Sequence, residues 1–269
     1  MNTKRFLVIG AHADDCENVG GIVLKLLQRG HAVKFLTLTN GCSGHQTEMG
    51  GGIANRRRKE TEAVAKLFGV EYEVLDNPDG SLTTDLTYRE QVIRAIRTYR
   101  PDIIFTHRPC DYHPDHRATS ILVQDAAFLV TVPNVCPLVP VLRYMPAVFY
   151  MPDNFQKPNP FEPTRVFDVS DVIDEKMRMY HQYTSQMYEW LPWVGQIADT
   201  NIPEGEEERL AWLKRVHGYT WADYADRWRD RLVEKYGEQG RKATYAEAFE
   251  ACEYGAVPDD RTLDELFDF

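Results

Sequence analysis

The sequence predicts an α/β fold, with a mostly parallel sheet that carries helices on both faces. Over residues 5–130, short apolar runs rich in β-branched residues alternate with segments of helical period. Gly30, Gly69 and Pro101 end the first three helical segments. A chain of 269 residues with 43% hydrophobic content can bury one large core. Strands and helices that alternate in this way form βαβ units, which build parallel sheets.

The predicted elements follow in chain order. Strands are expected over residues 5–10, 33–40, 71–76 and 101–107, and helices over residues 17–30, 56–70, 88–101 and from Pro114 to about 130. A Pro-rich, partly extended segment over 132–163 comes next, then a strand over 164–172, a helix over 173–187, and helices around 205–237 and 244–252. We interpret residues 1–190 as a Rossmann-like core and residues 191–269 as a C-terminal helical extension packed on the same domain.

Composition excludes several classes of partner. The formal net charge of -10 repels nucleic acid and anionic lipid. The N-terminal residues lack the apolar core of a signal peptide, and no run of about 18 apolar residues follows. The five cysteines are scattered without a CxxC pair, which argues against disulfides and against a thiolate zinc site. We therefore expect a cytoplasmic protein with no membrane span and no nucleic-acid partner.

Histidines and carboxylates cluster after the first and fourth predicted strands. His12, Asp14 and Asp15 follow the first strand, and the segment "RPCDYHPDHR" follows the fourth. With His107, these two loops contain four of the eight histidines of the chain. Ligands of open α/β sheets bind outside the carboxyl ends of the strands. The two loops are therefore expected to meet in one site.

The residue types in the two loops suit a catalytic metal. A catalytic zinc takes three protein ligands from histidines and carboxylates and keeps a fourth position for water. His12, Asp15 and His116 provide that set. Asp14 is then free to act as a general base, because zinc lowers the pKa of bound water to about 7.

The motif "HPDH" predicts the start of a helix. Proline suits the first position of a helix, which makes His113 the cap and places His116 in the first turn. A contact between Asp115 and His113 would favour the charged imidazolium. His113 would then be a positively charged donor that stabilises an oxyanion.

The two motifs resemble the paired signatures of the LmbE-like, or PIG-L, deacetylases. "AHADD" with Glu17, and "HPDHR" further along the chain, carry the resemblance, and weaker similarity extends over residues 5–190. The family more often has proline at the position of Ala13 and glutamate at that of Cys16.

The resemblance implies a role for each matching residue. It implies His12, Asp15 and His116 as zinc ligands and Asp14 as the general base. It further implies that His113 is the electrostatic stabiliser, that Asp115 tunes His113, and that Arg57 touches substrate hydroxyls.

The resemblance implies a zinc-dependent hydrolase that removes an acetyl group from a small N-acetylated substrate. An N-acetylglucosamine derivative is the first candidate for that substrate. Fe2+ is the alternative ion, and the resemblance favours homotrimers or homohexamers. Other readings are an amidohydrolase that acts on a non-sugar amide and a non-haem Fe(II) oxygenase, although the latter usually has a β-barrel. A non-catalytic nucleotide-binding module is disfavoured, because Asp14 and Asp15 would repel phosphates and the glycines lack the dinucleotide spacing.

Overall fold

A seven-stranded mixed sheet forms the centre of the protein, in the order β3-β2-β1-β4-β5-β7-β6. The structure is a computed structural model that describes residues 3–269. Strands β1 to β5 run parallel, whereas β7 is antiparallel to both of its neighbours. The strands are β1 Arg5–Gly10, β2 Ala32–Thr37, β3 Glu71–Val74, β4 Ile103–Thr106, β5 Ala147–Tyr150, β6 Arg165–Asp168 and β7 Ala246–Cys252. The predicted α/β fold with a mostly parallel sheet is confirmed.

Helices surround the sheet and alternate with its strands in the first half of the chain. They are α1 Gly20–Gln28, α2 Gly51–Phe68, α3 Leu86–Tyr99, α4 Pro114–Leu129, α5 Ile173–His181, α6 Leu191–Trp193, α7 Glu206–Val216, α8 Tyr219–Arg227, α9 Arg229–Tyr236, α10 Glu238–Lys242 and α11 Asp260–Leu266. A 3-10 helix over Cys16–Val19 precedes α1, and a π-helix over Gln186–Trp190 precedes α6. Among the described residues, no helix combines the length and apolar character that crossing a membrane requires.

Strand β1 shows why this sequence forms a buried central strand. Its side chains alternate between two cores, with Phe6 and Val8 in one and Leu7 and Ile9 in the other. All four are fully buried. A strand covered by helices on both faces therefore reads as a continuous apolar run.

The predicted helix over 244–252 is wrong, because this segment is strand β7. The local sequence, rich in alanine and glutamate, has good helix propensity. Its hydrogen bonding to β5 on one side and β6 on the other overrides that propensity. Glu247 is fully buried there, pairs with Lys176 and accepts hydrogen bonds from the backbone N–H groups of Gly21 and Ile22 at 2.8 Å. The C-terminal segment thus contributes a strand to the sheet, and the division of the chain at residue 190 stays a prediction.

The order of the strands determines where a ligand can bind. The chain leaves β1 towards β2 and β3 on one side, and β4 then returns to the other side of β1. The loops after β1 and β4 therefore separate at a crevice above the carboxyl ends of two neighbouring strands. These are the two loops that carry the predicted site residues.

Candidate functional site

The three predicted metal ligands come together at this crevice. His12 Nδ1 lies 3.2 Å from His116 Nε2 and 3.5 Å from Asp15 Oδ2, and His116 Nε2 lies 3.5 Å from Asp15 Oδ1. Donor atoms that coordinate one ion tetrahedrally at about 2.1 Å lie roughly 3.4 Å apart, and each oxygen of Asp15 lies near this distance from one of the two nitrogens. The spacing of these donor atoms therefore fits a single divalent ion, although their role as ligands stays a prediction.

The loop after β1 folds tightly to present these side chains. A Cβ atom on Gly10 would lie 2.7 Å from the Cβ of Asp15, so only glycine allows this close approach. The backbone N–H of His12 donates to Asp15 Oδ2 at 2.7 Å. Asp14 has a φ of 95°, in the left-handed region. This turn directs the side chains of Asp14 and Asp15 differently, as their proposed division of roles requires.

Carboxylates also contact the other ring nitrogens of the two histidines. His12 Nε2 lies 3.1 Å from Asp79 Oδ1 and 3.2 Å from Asp115 Oδ2. His116 Nδ1 lies 3.1 Å from Asp111 Oδ1. Histidines that bind metals usually donate their second N–H to a carboxylate or carbonyl, which fixes the ring and its tautomer. A carboxylate thus lies within reach of the second nitrogen of each proposed histidine ligand.

Sequence reasoning missed Asp79 and Asp111. Asp79 follows β3, so its position at the carboxyl end of another parallel strand could have indicated it. Asp111 lies in the same loop as the predicted residues and accepts a hydrogen bond from the backbone N–H of His113 at 2.8 Å. Burial disfavours a charged His12, but hydrogen bonds to Asp115, Asp15 and Asp79 together raise its pKa well above the ordinary value.

The predicted contact between the side chains of Asp115 and His113 is wrong. The Asp115 carboxylate turns towards the loop after β3, where it accepts from the backbone N–H groups of Gly80 at 2.7 Å and Leu82 at 3.1 Å. His113 caps α4 as predicted, and its Nδ1 accepts from the backbone N–H of Asp115 at 3.2 Å. Burial, with the nearby His12, lowers the pKa of His113. His113 is therefore a neutral ring with its proton on Nε2, and the predicted imidazolium is a second correction.

The structure predicts a measurable effect of Asp115 on metal affinity. Replacing Asp115 with alanine removes a carboxylate that orients His12, so we expect the affinity for Zn2+ to fall about 10- to 100-fold. Competition with a chromophoric chelator would measure it. Asp125→Ala is the control, because Asp125 lies on the same helix and contacts Arg89 at the surface. Equal affinities of the two variants would contradict this orienting role.

Asp14 and Arg57 are neighbours in the wall of the site. Burial and the adjacent Asp15 raise the pKa of Asp14 to about 7, and the positive charge of Arg57 opposes that rise. Asp14 Oδ1 lies 3.9 Å from Arg57 Nη1. Arg57 is 2% exposed and donates to the backbone carbonyl of Gly44 at 2.8 Å and to Gln186 Oε1. Arg57 is thus held mainly by the protein, and its contact with substrate stays a prediction.

Other residues that could coordinate an ion surround the same centre. His107 lies beneath it, with Nε2 3.1 Å from Asp15 Oδ2 and its ring stacked on His116 at 4.1 Å. A separate group that could hold an ion comprises His45, Glu48 and Glu189. There, Arg56 already pairs with both glutamates, which reduces the attraction for a second cation.

The site opens into a cavity of about 600 Å³. Its lining includes His12, Asp14, Asp15, Arg57, Asp79, His113 and His116. Pockets of 300–1,000 Å³ are typical of small-molecule sites. The fold and the site together define an α/β protein with a candidate metal centre at the floor of a small-molecule cavity.

Comparison with known proteins identifies the family of the region that contains both loops. Residues 7–127 match the family model "PIG-L: GlcNAc-PI de-N-acetylase" and form a PIG-L family domain. The resemblance predicted from the two motifs is confirmed. The chain is 34% identical over 140 residues to the diacetylchitobiose deacetylase of Thermococcus kodakarensis. That alignment covers 49% of this chain and 52% of the relative, so the match spans about half the length of each.

Solved structures share the fold over nearly the whole chain. The N,N'-diacetylchitobiose deacetylase of Pyrococcus horikoshii has a TM-score of 0.67 at 22% identity, covering 97% of this chain and 89% of its own. GalB, the 4-carboxy-2-hydroxymuconate hydratase of Pseudomonas putida KT2440, has a TM-score of 0.69 at 20% identity, covering 96% and 99%. Because a deacetylase and a hydratase are both similar at this level, the likeness shows the fold alone.

Proposed function

We propose that the protein is a metal-dependent N-deacetylase that hydrolyses the acetamide of a small N-acetylated sugar, in first place an N-acetylglucosamine derivative. The observation that carries the proposal is the convergence of His12, Asp15 and His116, with Asp14 beside them, at the floor of the cavity. The PIG-L family domain contains all four residues, and a relative of this region is a diacetylchitobiose deacetylase.

Zinc is the proposed ion, held by His12, Asp15 and His116. A bound divalent ion lowers the pKa of water to about 7 and polarises a carbonyl oxygen. Two imidazoles and one carboxylate also suit Fe2+, so metal analysis of the purified protein decides between the two. Asp14 then takes the proton of the attacking water. Arg57 and a nearby ion both favour the carboxylate form that this requires.

His113 and Asp14 complete the proposed reaction. The Nε2–H of the neutral His113 donates a hydrogen bond to the oxygen of the amide carbonyl as negative charge develops there. Asp14 returns its proton to the amide nitrogen, so that the C–N bond breaks to give acetate and a free amine. One carboxylate thus acts first as a base and then as an acid.

The nucleotide-binding reading has less support. At least five aspartates line the cavity, namely Asp14, Asp15, Asp79, Asp111 and Asp153. Such a wall repels the phosphates of a nucleotide. The likeness to a hydratase shows only the fold, so the sugar deacetylase remains the proposed activity.

The family resemblance also leads us to propose a cytoplasmic homotrimer or homohexamer, which light scattering would test.

The proposal predicts metal-dependent release of acetate. Purified protein with added Zn2+ is expected to release equal amounts of acetate and free amine from N-acetylglucosamine or N,N'-diacetylchitobiose. Dialysis against a chelator should abolish the release, and Zn2+ or Fe2+ should restore it. Release that survives complete removal of metal, or the absence of acetate from both sugars, would contradict the proposed function.

A further inference from the structure

Residues 42–50 form a compact loop at one side of the cavity, which we call the flap. A hydrogen bond of 2.9 Å from the backbone N–H of Gly50 to the carbonyl of Cys42 joins its two ends. Ser43 and Gly44 line the cavity. Compact surface loops of this length, whose ends lie close together, are frequently functional. The flap is therefore a part of the cavity wall that belongs to no helix or strand.

Apolar packing contributes little to the position of the flap. His45 is its only buried residue, and Met49, its one large apolar side chain, is 81% exposed. Gly41, just before the flap, and Gly50, its last residue, have φ values of 69° and 60°, in the region that favours glycine. A segment with few buried apolar contacts has low local stability. The polar contacts of the flap therefore decide whether it lies against the cavity.

His45 connects the flap to the π-helix. Its Nδ1 accepts a hydrogen bond from the backbone N–H of Glu48 at 3.0 Å, within the flap. Because Nδ1 is the acceptor, the ring proton lies on Nε2, and Nε2 donates to Glu189 Oε2 at 2.9 Å. Gln186 and Trp190, the first and last residues of the π-helix, line the cavity. The bond from His45 thus joins two parts of the cavity wall.

Glu189 is also held by the core of the protein. Arg56 on α2 contacts both of its carboxylate oxygens and donates to Thr184 Oγ1 at 3.4 Å. Hydrogen bonds from Arg56 and, to a smaller extent, from His45 outweigh burial and lower the pKa of Glu189. Glu189 is therefore a carboxylate at neutral pH and a fixed acceptor for His45.

The flap contacts the proposed reaction centre through Arg57. The carbonyl of Gly44, the residue before His45, accepts from Arg57 Nη2 at 2.8 Å, and Gln186 Oε1 accepts from the same nitrogen. Arg57 Nη1 lies 3.9 Å from Asp14 Oδ1. The flap and the π-helix thus hold the guanidinium between them. If the flap moved away from the cavity, Arg57 would lose one of these contacts.

We propose that the flap opens to admit the ligand and that the hydrogen bond from His45 to Glu189 holds it closed, which fixes Arg57 beside Asp14. His45 and Glu189 are then positioning residues, because neither is among the residues that line the cavity. Closure of such loops excludes water and completes the arrangement of reacting groups. The effect on turnover rests on the proposed function, whereas the opening of the flap does not.

Two substitutions of His45 separate its bond to Glu189 from its bond within the flap. Glutamine places an amide N–H group near the position of Nε2 and can still donate to Glu189. Asparagine places an oxygen near the position of Nδ1 and can still accept from Glu48, but it is too short to reach Glu189. His45→Gln therefore keeps the contact that closes the flap, and His45→Asn removes it.

Hydrogen exchange of the flap amides in the ligand-free protein measures its opening. We expect exchange over residues 42–50 to be about 3- to 10-fold faster in His45→Asn than in the unchanged protein, the effect of one net hydrogen bond. In His45→Gln it should stay within about twofold. The factor is limited because Ser43 still contacts Asp79 in both variants. Exchange in β1 should not change, since the core is untouched.

Turnover measures the consequence for Arg57. With metal added, kcat/KM for acetate release from N-acetylglucosamine should fall about 3- to 10-fold in His45→Asn and by less than about twofold in His45→Gln. His31→Asn is the matched control and should change neither exchange of the flap nor kcat/KM. His31 is also buried, its Nδ1 accepts from the backbone N–H of Lys4 at 3.2 Å, and it does not line the cavity.

Each other outcome contradicts a separate part of the inference. Equal exchange of the flap in His45→Asn and His45→Gln, or faster exchange that extends to β1, would overturn the role of the bond to Glu189. Faster exchange of the flap with unchanged kcat/KM would overturn the positioning of Arg57. Absence of acetate release from every sugar by the unchanged protein would instead refute the proposed function, and the exchange rates would still decide whether His45 closes the flap.

Discussion

Asp14→Asn is expected to lose most turnover while it keeps its metal. Removing a positioned general base and acid typically slows a reaction about 10²- to 10⁴-fold. The neighbouring Asp15 and both histidines remain, so the donor atoms that we propose for the ion are unchanged. The measurements are kcat for acetate release and metal content after dialysis. An Asp14→Asn protein with full kcat would refute the assignment of the base.

The backbone makes asparagine the sharper substitution at this position. Asp14 has a φ of 95°, in the left-handed region, where asparagine is better tolerated than other side chains except glycine. Asp14→Ala should lose turnover as well, but it adds backbone strain next to the ligand Asp15. Asparagine preserves shape and removes only the charge and the proton acceptor. A loss of kcat in Asp14→Asn with intact metal content is therefore attributable to chemistry and not to a displaced loop.

The sequence could predict the fold and the centre of the site because both depend on local patterns. A short apolar run such as Phe6–Ile9, followed at once by Gly10, is typical of a strand covered on both faces, and the loop that leaves such a strand emerges at the carboxyl edge of the sheet. His12 and His116 lie in two such loops. Their approach to 3.2 Å follows from the adjacency of β1 and β4 in the sheet, whereas the sequence predicted only that both loops lie at its carboxyl edge.

The parts that could not be predicted depend on contacts between distant segments. Residues 246–252 form a strand because they fill the gap between β5 and β6, and nothing in their own sequence indicates that gap. Asp115 illustrates the same limit on a smaller scale. His113 lies only two residues before it, but the carboxylate of Asp115 turns to the backbone N–H groups of Gly80 and Leu82, which converge on it from a distant loop.

Asp15→Asn should lose the metal, and with it all activity. Asp15 is the only anionic member of the proposed ligand set, and its two oxygens lie 3.5 Å from donor nitrogens of His12 and His116. An amide offers a neutral oxygen and an NH2 group, which is not a metal ligand at neutral pH. We expect the affinity for Zn2+ to fall by more than about 100-fold, beyond the range seen when a group behind a ligand is changed. Metal content after dialysis and chelator competition measure it.

Asp14→Asn is the matched control for Asp15→Asn, because the two substitutions are chemically identical and fall on adjacent residues. If the assignment is right, Asp14→Asn binds metal but does not turn over substrate. Asp15→Asn neither binds metal nor turns over substrate until Zn2+ is in large excess. Circular dichroism and thermal unfolding of the metal-free proteins should show both variants folded, which separates loss of a ligand from loss of structure. Equal metal content in the two variants would mean that Asp15 does not hold the ion. His12, His113 and His116, which form an alternative group of donors without Asp15, would then need to be tested in the same way.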